Sequence, residues 1–67
     1  VKLTLGSEVV DAVTGFSGTA VSRHEYIGGY VAIGVQGDGF KADGTPADIV
    51  FIDERNLRTV DGERIAP

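Results

Sequence analysis

Residues 30–36 read Tyr30-Val31-Ala32-Ile33-Gly34-Val35-Gln36. Val31, Ile33 and Val35 fall at every second position, and all three are β-branched. Side chains alternate across a strand, so this spacing puts the three on one face of a half-buried strand. A helix would scatter them around its axis. Branching at Cβ fits the pleated surface of a sheet better than a helical turn.

Working outward, glycine cuts the chain into short pieces. Ten glycines stand at 6, 15, 18, 28, 29, 34, 37, 39, 44 and 62. Only residues 19–27 and 47–61 leave appreciable room between breakers, so a bundle of three-turn helices has nowhere to sit. Glu8–Val13 reads as a strand, with Val9 and Val13 on one side and Glu8 and Val10 on the other. Thr19–His24 is a strand whose polarity alternates less cleanly. Ile49-Val50-Phe51-Ile52 is apolar on both faces, as expected of a central strand or of one whose second face meets a partner.

The connections are legible as well. Thr14-Gly15-Phe16-Ser17-Gly18 is a tight turn between the first two strands, and Ile27-Gly28-Gly29-Tyr30 is a second turn. Residues 37–47 form a longer polar loop carrying an exposed Phe40. Asp53-Glu54-Arg55-Asn56-Leu57 reads as one helical turn, with Asp53 offering the capping oxygen and Glu54 in the first turn. Leu57–Val60 is a last short strand, and Asp61-Gly62 folds 63–65 back on it. The predicted fold is all-β: a small SH3-like barrel of about five short strands, with one helical turn before the last. Closure would remove the exposed edges that trouble every small sheet. The chain reads as a single domain over 1–67, with a core at about 8–60 and a hairpin extension at 57–65. Residues 2–5 read equally as an added strand or as an arm.

Composition bounds the chemistry. The chain has 67 residues, a net charge of −4, and no Cys, Met or Trp. Disulfides, thiolate metal cages and thiol nucleophiles are excluded. Tyr26–Gly37, the longest run without charge, holds four glycines and a glutamine, so it is no bilayer span. No basic segment followed by an apolar stretch opens the chain, and a soluble, cytoplasmic protein is expected. With five aromatic residues, the core rests on Val and Ile, and homo-oligomerisation is an expected source of further burial.

Catalytic motifs are missing. There is no phosphate-binding G-x-x-x-x-G-K-[ST] stretch, and Gly37-x-Gly39 lacks the third glycine of a dinucleotide fingerprint. Asp38–Gly44 resembles a calcium loop, but Phe40 and Ala42 stand where oxygen ligands are needed. Gly15-Phe16-Ser17-Gly18 has the wrong spacing for a nucleophile elbow. His24, the single histidine, would need Glu25 or Asp53 to orient it and Ser22 or Ser17 as nucleophile. A surface histidine at a strand end is the simpler reading, and neither a metal nor another cofactor is expected. Most carboxylates lie beside turns, where capping explains them, and Asp11 is expected to accept backbone hydrogen bonds.

Charge is uneven. Residues 1–54 hold three cations against eight anions, a net of −5, whereas 55–67 hold three against two, a net of +1. Arg55 and Arg58 are three apart, so a helical turn brings them together, and Arg23 joins them if its strand ends nearby. Ion pairing with Asp53 and Glu54 is the favoured role for these arginines. An acidic chain has no basic face for duplex nucleic acid. A small anionic ligand needs only two or three arginines and an aromatic plate such as Tyr26 or Tyr30, which flank the Gly28-Gly29 turn.

Three segments carry a resemblance: Glu8–Gly18 (EVVDAVTGFSG), Glu25–Gly28 (EYIG) and Phe51–Leu57 (FIDERNL). Together they resemble a group of small, mostly uncharacterised accessory proteins of tailed bacteriophages with an SH3-like barrel, over residues 8 to about 60. The first segment is also similar to KOW modules of the transcription and translation machinery. The phage group usually carries Trp where Phe51 stands. The resemblance implies origin and fold, and no activity.

The reading is a non-catalytic accessory binding protein that docks on a host or phage protein, with Arg23, His24, Tyr26, Tyr30, Arg55 and Arg58 as contacts. One alternative is an oligomeric module that sequesters an anionic nucleotide signal in anti-defence. Another is a KOW-like module contacting RNA or the transcription and translation machinery.

Overall fold

A computed structural model describes residues 3–65. Five strands follow in chain order: β1 (Glu8–Asp11), β2 (Ser17–Glu25), β3 (Val31–Gly37), β4 (Ile49–Asp53) and β5 (Leu57–Thr59). A single 3-10 turn, Glu54–Asn56, separates the last two. All pairings are antiparallel, in the order β4-β3-β2-β1-β5. The chain is thus a four-strand meander whose fifth strand returns to pair with the first. This is the all-β, five-strand arrangement expected from the sequence, with the helical turn in its expected place.

The ladder is unclosed, because β4 and β5 do not pair. The reason lies in the C-terminal hairpin. Arg58 bridges to Arg64, and the Thr59 amide donates to the Glu63 carbonyl, so residues 63–64 occupy the edge of β5 that closure would need. Ile65 then turns into the core.

Ile33 and Val35 share one face of β3 as the alternation predicts, but the strand is not half-buried, because Ala32 and Gly34 on its other face are buried as well. Ile33 and Val35 are fully buried on the inner face, opposite Ile52 and Val50 of β4. Val9, Ala20, Leu57 and Ile65 complete this core, with Leu3, Phe16 and Val31 packed against it. The irregular polarity of 19–24 has a local cause. The β2–β3 register shifts between Ala20 and Ser22, and the bulge restarts the alternation. Gly18 lies inside β2 rather than in the preceding turn, and a Cβ there would run into the backbone carbonyl oxygen of Gln36.

β1 stops at Asp11, two residues earlier than the sequence pattern implies, and Val13 is exposed in the turn. The Asp11 carboxylate accepts from the Val13 amide (2.8 Å) and the Thr14 hydroxyl (3.0 Å), which bends the chain out of the strand. The 37–47 loop is more ordered than expected. It contains a small hairpin in which the Lys41 amide donates to the Thr45 carbonyl and Phe40 bridges to Pro46.

That hairpin shares its geometry with two others. In Tyr26–Tyr30, Lys41–Thr45 and Thr59–Glu63, the first amide donates to the fifth carbonyl and the fourth amide donates to the first carbonyl. The fourth residue is Gly29, Gly44 or Gly62, each at positive φ (+83°, +85° and +88°). A tight turn that ends on a left-handed residue suits the strand twist, and glycine reaches that conformation without steric cost. No helix among the described residues is long and apolar enough to cross a membrane.

Candidate functional site

The six candidate contacts gather around the Tyr26–Tyr30 hairpin and the 3-10 turn, on different faces of the sheet. Arg23 and Glu25 point to one side of β2, where the Arg23 guanidinium pairs with Glu25 (3.2 Å) and Glu54 (3.3 Å). The second pair ties the end of β2 to the 3-10 turn beyond β4. His24 points to the other side. Its Nε2 lies 3.0 Å from the Ser22 hydroxyl, and its ring meets Phe51 edge-on at 5.1 Å.

Ser22 and His24 therefore form the contact that a nucleophile and base would need, but the third group is absent from it. Glu25 is turned away to Arg23, and Asp53 is held by Arg55. Ser22, Ile49 and Phe51 instead crowd the bare backbone of Gly34. A side chain at position 34 would collide with the Ser22 hydroxyl. Gly34 thus lets two strands bring their side chains together over the middle of β3.

Tyr26 and Tyr30 stack with ring centroids 5.1 Å apart and planes 23° apart. Both are exposed, and Ile27 at the tip of the hairpin is fully exposed. Next to Tyr30 lies a cavity of about 150 Å3, lined by the hairpin (Gly28, Gly29, Tyr30, Val31) and by Asp53, Glu54 and Arg55. The juxtaposition follows from the topology. Antiparallel pairing of Ala32 with Asp53 brings the start of β3 beside the end of β4.

The charges at this cavity are largely met within the chain. Arg55 forms a forked contact with Asp53 (2.6 Å from Nη2 to Oδ2, 3.1 Å from Nε to Oδ1), and the Arg55 amide donates to Asp53 Oδ1 (2.9 Å). The Arg55 side chain, followed by its amide, holds the Asp53 carboxyl below the ordinary carboxylate range. Asp53 thus caps the 3-10 turn as its sequence position predicts. Arg58 differs from the expected ion pairing. Its Nη1 donates to the carbonyls of Arg55 (3.0 Å) and Leu57 (2.9 Å), the end of the turn where a cation is favourable. The three arginines therefore do not merge into one open basic patch.

Ile27, fully exposed at the hairpin tip, is not among the candidate residues of the sequence. Its place between a tyrosine and two glycines marks it in the sequence, since turn positions ordinarily carry polar residues. No protein-family model, curated protein or solved structure matches this chain.

Proposed function

We propose that this chain is a non-catalytic binding protein that docks on another protein through the Tyr26–Tyr30 hairpin and the adjoining 3-10 turn. The partner is a host or phage protein, in keeping with the phage accessory proteins that the sequence resembles. One observation carries the reading: a stacked tyrosine pair and a fully exposed Ile27 stand beside a cavity of side-chain size. Tyrosine and arginine are the residues that most often anchor protein interfaces, and a pocket next to them accepts an anchor from the partner. Asp53, Glu54 and Arg55 give it a mixed-charge lining, and the Arg23–Glu54 and Arg23–Glu25 pairs extend that charge onto β2.

The test is retention of host or phage proteins by the chain, run beside Tyr26→Ala and Ile27→Ser. A specific protein held by the parent and released by both variants is the expected result. Failure to hold any protein from several candidate host lysates, or equal retention by all three chains, counts against the reading.

A second reading, capture of an anionic nucleotide signal, rests on Tyr30 and the exposed Arg55 lining the same cavity. It requires Arg55 to exchange Asp53 for a phosphate. A nucleotide present at 100 times its dissociation constant stabilises the fold by about 2.7 kcal/mol, a clear rise in melting temperature for so small a domain. A flat thermal-shift screen removes that reading. The KOW-like reading has the net charge of −4 against it, and salt-sensitive retention on RNA would favour it.

A further inference from the structure

β4 ends the sheet, and its outer side carries no strand. Among the described residues, no backbone group of Ile49–Ile52 bonds outside the pairing with β3. Natural sheets protect such an edge with lysine, proline, a bulge or a covering segment. Ile49–Ile52 has neither lysine nor proline, and its register with β3 is regular. Instead Ile49, Val50 and Phe51 are 47%, 43% and 59% exposed. The carboxylates on either side of Ile49–Ile52 are ion-paired within the chain, Asp48 with Lys41 (2.7 Å) and Asp53 with Arg55 (2.6 Å). The edge is therefore apolar and unguarded, with its terminal charges neutralised.

We propose that the partner of this edge is β4 of a second copy, paired antiparallel about a two-fold axis at Val50. Side-chain alternation restricts the register. A two-fold at a residue keeps the inner faces together and the outer faces together. Centred on Val50, it sets Val50 against Val50 on the inner face and Ile49 against Phe51 twice on the outer face. Asp48 then faces Ile52, and Asp53 faces Ala47, so no carboxylate opposes another. Centred on Phe51, it would keep Phe51 against Phe51 and Val50 against Ile52, but it would set each Ile49 against the Asp53 carboxylate of the other copy.

The six exposed side chains of such a pair hold on the order of 600 Å2, well short of the roughly 1,600 Å2 of a standard stable interface. The dimer is accordingly weak and depends on concentration, with the backbone ladder adding to the apolar contact. Each copy carries a charge of −4, so added salt tightens it by screening the mutual repulsion.

Sedimentation equilibrium up to about 1 mM chain tests the proposal directly, since it lies above the dissociation constants of weak pairs. The expected result is a mass approaching twice 7.0 kDa as concentration rises. Phe51→Lys and Ile49→Lys place a guard charge on exposed positions, and each weakens dimerisation at least tenfold. Ile27→Ser leaves it unchanged, which separates this proposal from the docking reading. In a mixed labelled and unlabelled sample, magnetisation transfer between Ile49 methyls of one copy and the Phe51 ring of the other fixes the register. A monomer throughout the range, an assembly larger than a dimer, or a dimer indifferent to both lysines overturns the proposal. Transfer between Phe51 rings alone overturns the Val50 register. Should one lysine variant fail to fold, the other variant and the parent mass still decide.

Discussion

The β1–β2 turn and the β2–β3 turn make the same reversal by different means. In the first, side chains hold the backbone: Asp11 is 7% exposed, and its carboxylate accepts from the Val13 amide and the Thr14 hydroxyl. The Asp11 amide and carbonyl bond within the same turn, to Phe16 and Gly15. In the second, the backbone bonds between Tyr26, Gly29 and Tyr30 hold the turn, and Ile27 touches water on all sides. The first turn uses its polar atoms internally. The second leaves its side chains outward, where they can meet something else. That difference separates a turn that maintains the fold from one that the fold presents.

Asp11→Ala is the most severe way to break the comparison. It strips a nearly buried acceptor from two donors, and hydrogen bonds to a charged group are each worth about 1.5–3 kcal/mol. A loss of about 2–3 kcal/mol is expected in urea unfolding, a large share of the stability of so small a domain. Asp11→Asn keeps one carbonyl acceptor and is expected to lose roughly half as much. A Tyr26→Ala loss equal to that of Asp11→Ala would erase the distinction between the two turns, since an exposed aromatic pair is worth about 0.5–1.5 kcal/mol.

Next in size are the turn glycines, where the two turns should agree. Gly15 and Gly29 have φ of +80° and +83°, and neither has a neighbour that a Cβ would strike. Ala at either position therefore costs only the left-handed backbone penalty, about 1–2 kcal/mol. Equal losses from Gly15→Ala and Gly29→Ala would locate the difference between the turns in their side chains. A much larger loss at Gly29 would mean that its turn is held more firmly than the contacts show.

A third hairpin sharpens the contrast through pH. Asp43, in the Lys41–Thr45 turn, accepts from the Thr45 hydroxyl (2.6 Å) and the Thr45 amide (3.0 Å), and these bonds hold its carboxyl below the ordinary range. Asp53 is lowered likewise, by the Arg55 side chain and then its amide. A lowered folded-state value means that the carboxylate stabilises the fold fully above its unfolded value. The contribution fades as pH falls through the lower, folded value. Unfolding midpoints are thus expected to drop with acid, and Asp43→Asn and Asp53→Asn each to flatten that drop. Tyr26–Tyr30 has no carboxylate pin within it and contributes nothing to it.

Much of this could be read in the chain. The alternation of Val31, Ile33 and Val35 marks the inner face of β3, though not the burial of Ala32 on the other, and Asp53 before Glu54 marks the capped 3-10 turn. Glycine placement gave two of the connections. Other features were hidden because they depend on partners distant in sequence. Asp61-Gly62 predicts that 63–65 folds back on β5, as it does, but no local pattern says that this leaves the ladder open. The small hairpin inside 37–47 was masked by its polarity, although Asp43-Gly44 repeats the pattern of Asp61-Gly62. The candidate contacts were legible as residue types, but their orientation was not. Arg23 and His24 are adjacent and face opposite ways, so a strand that offers one to a surface turns the other from it.

The smallest effect on stability is expected from Ile27→Ser. Ile27 is exposed to the same extent as in an open chain, so replacing it removes no buried surface. The turn is closed by the bonds of its neighbours, not by its own side chain, and substitution at such a site ordinarily shifts stability by less than about 0.5 kcal/mol. Unfolding curves of parent and variant should therefore coincide. If Ile27 instead packs in the folded ensemble, the variant would lose about 1 kcal/mol or more, and the turn would be structural like its counterpart at Asp11. With coincident curves, any loss of partner retention belongs to the docking surface itself, because the fold presenting it is unchanged.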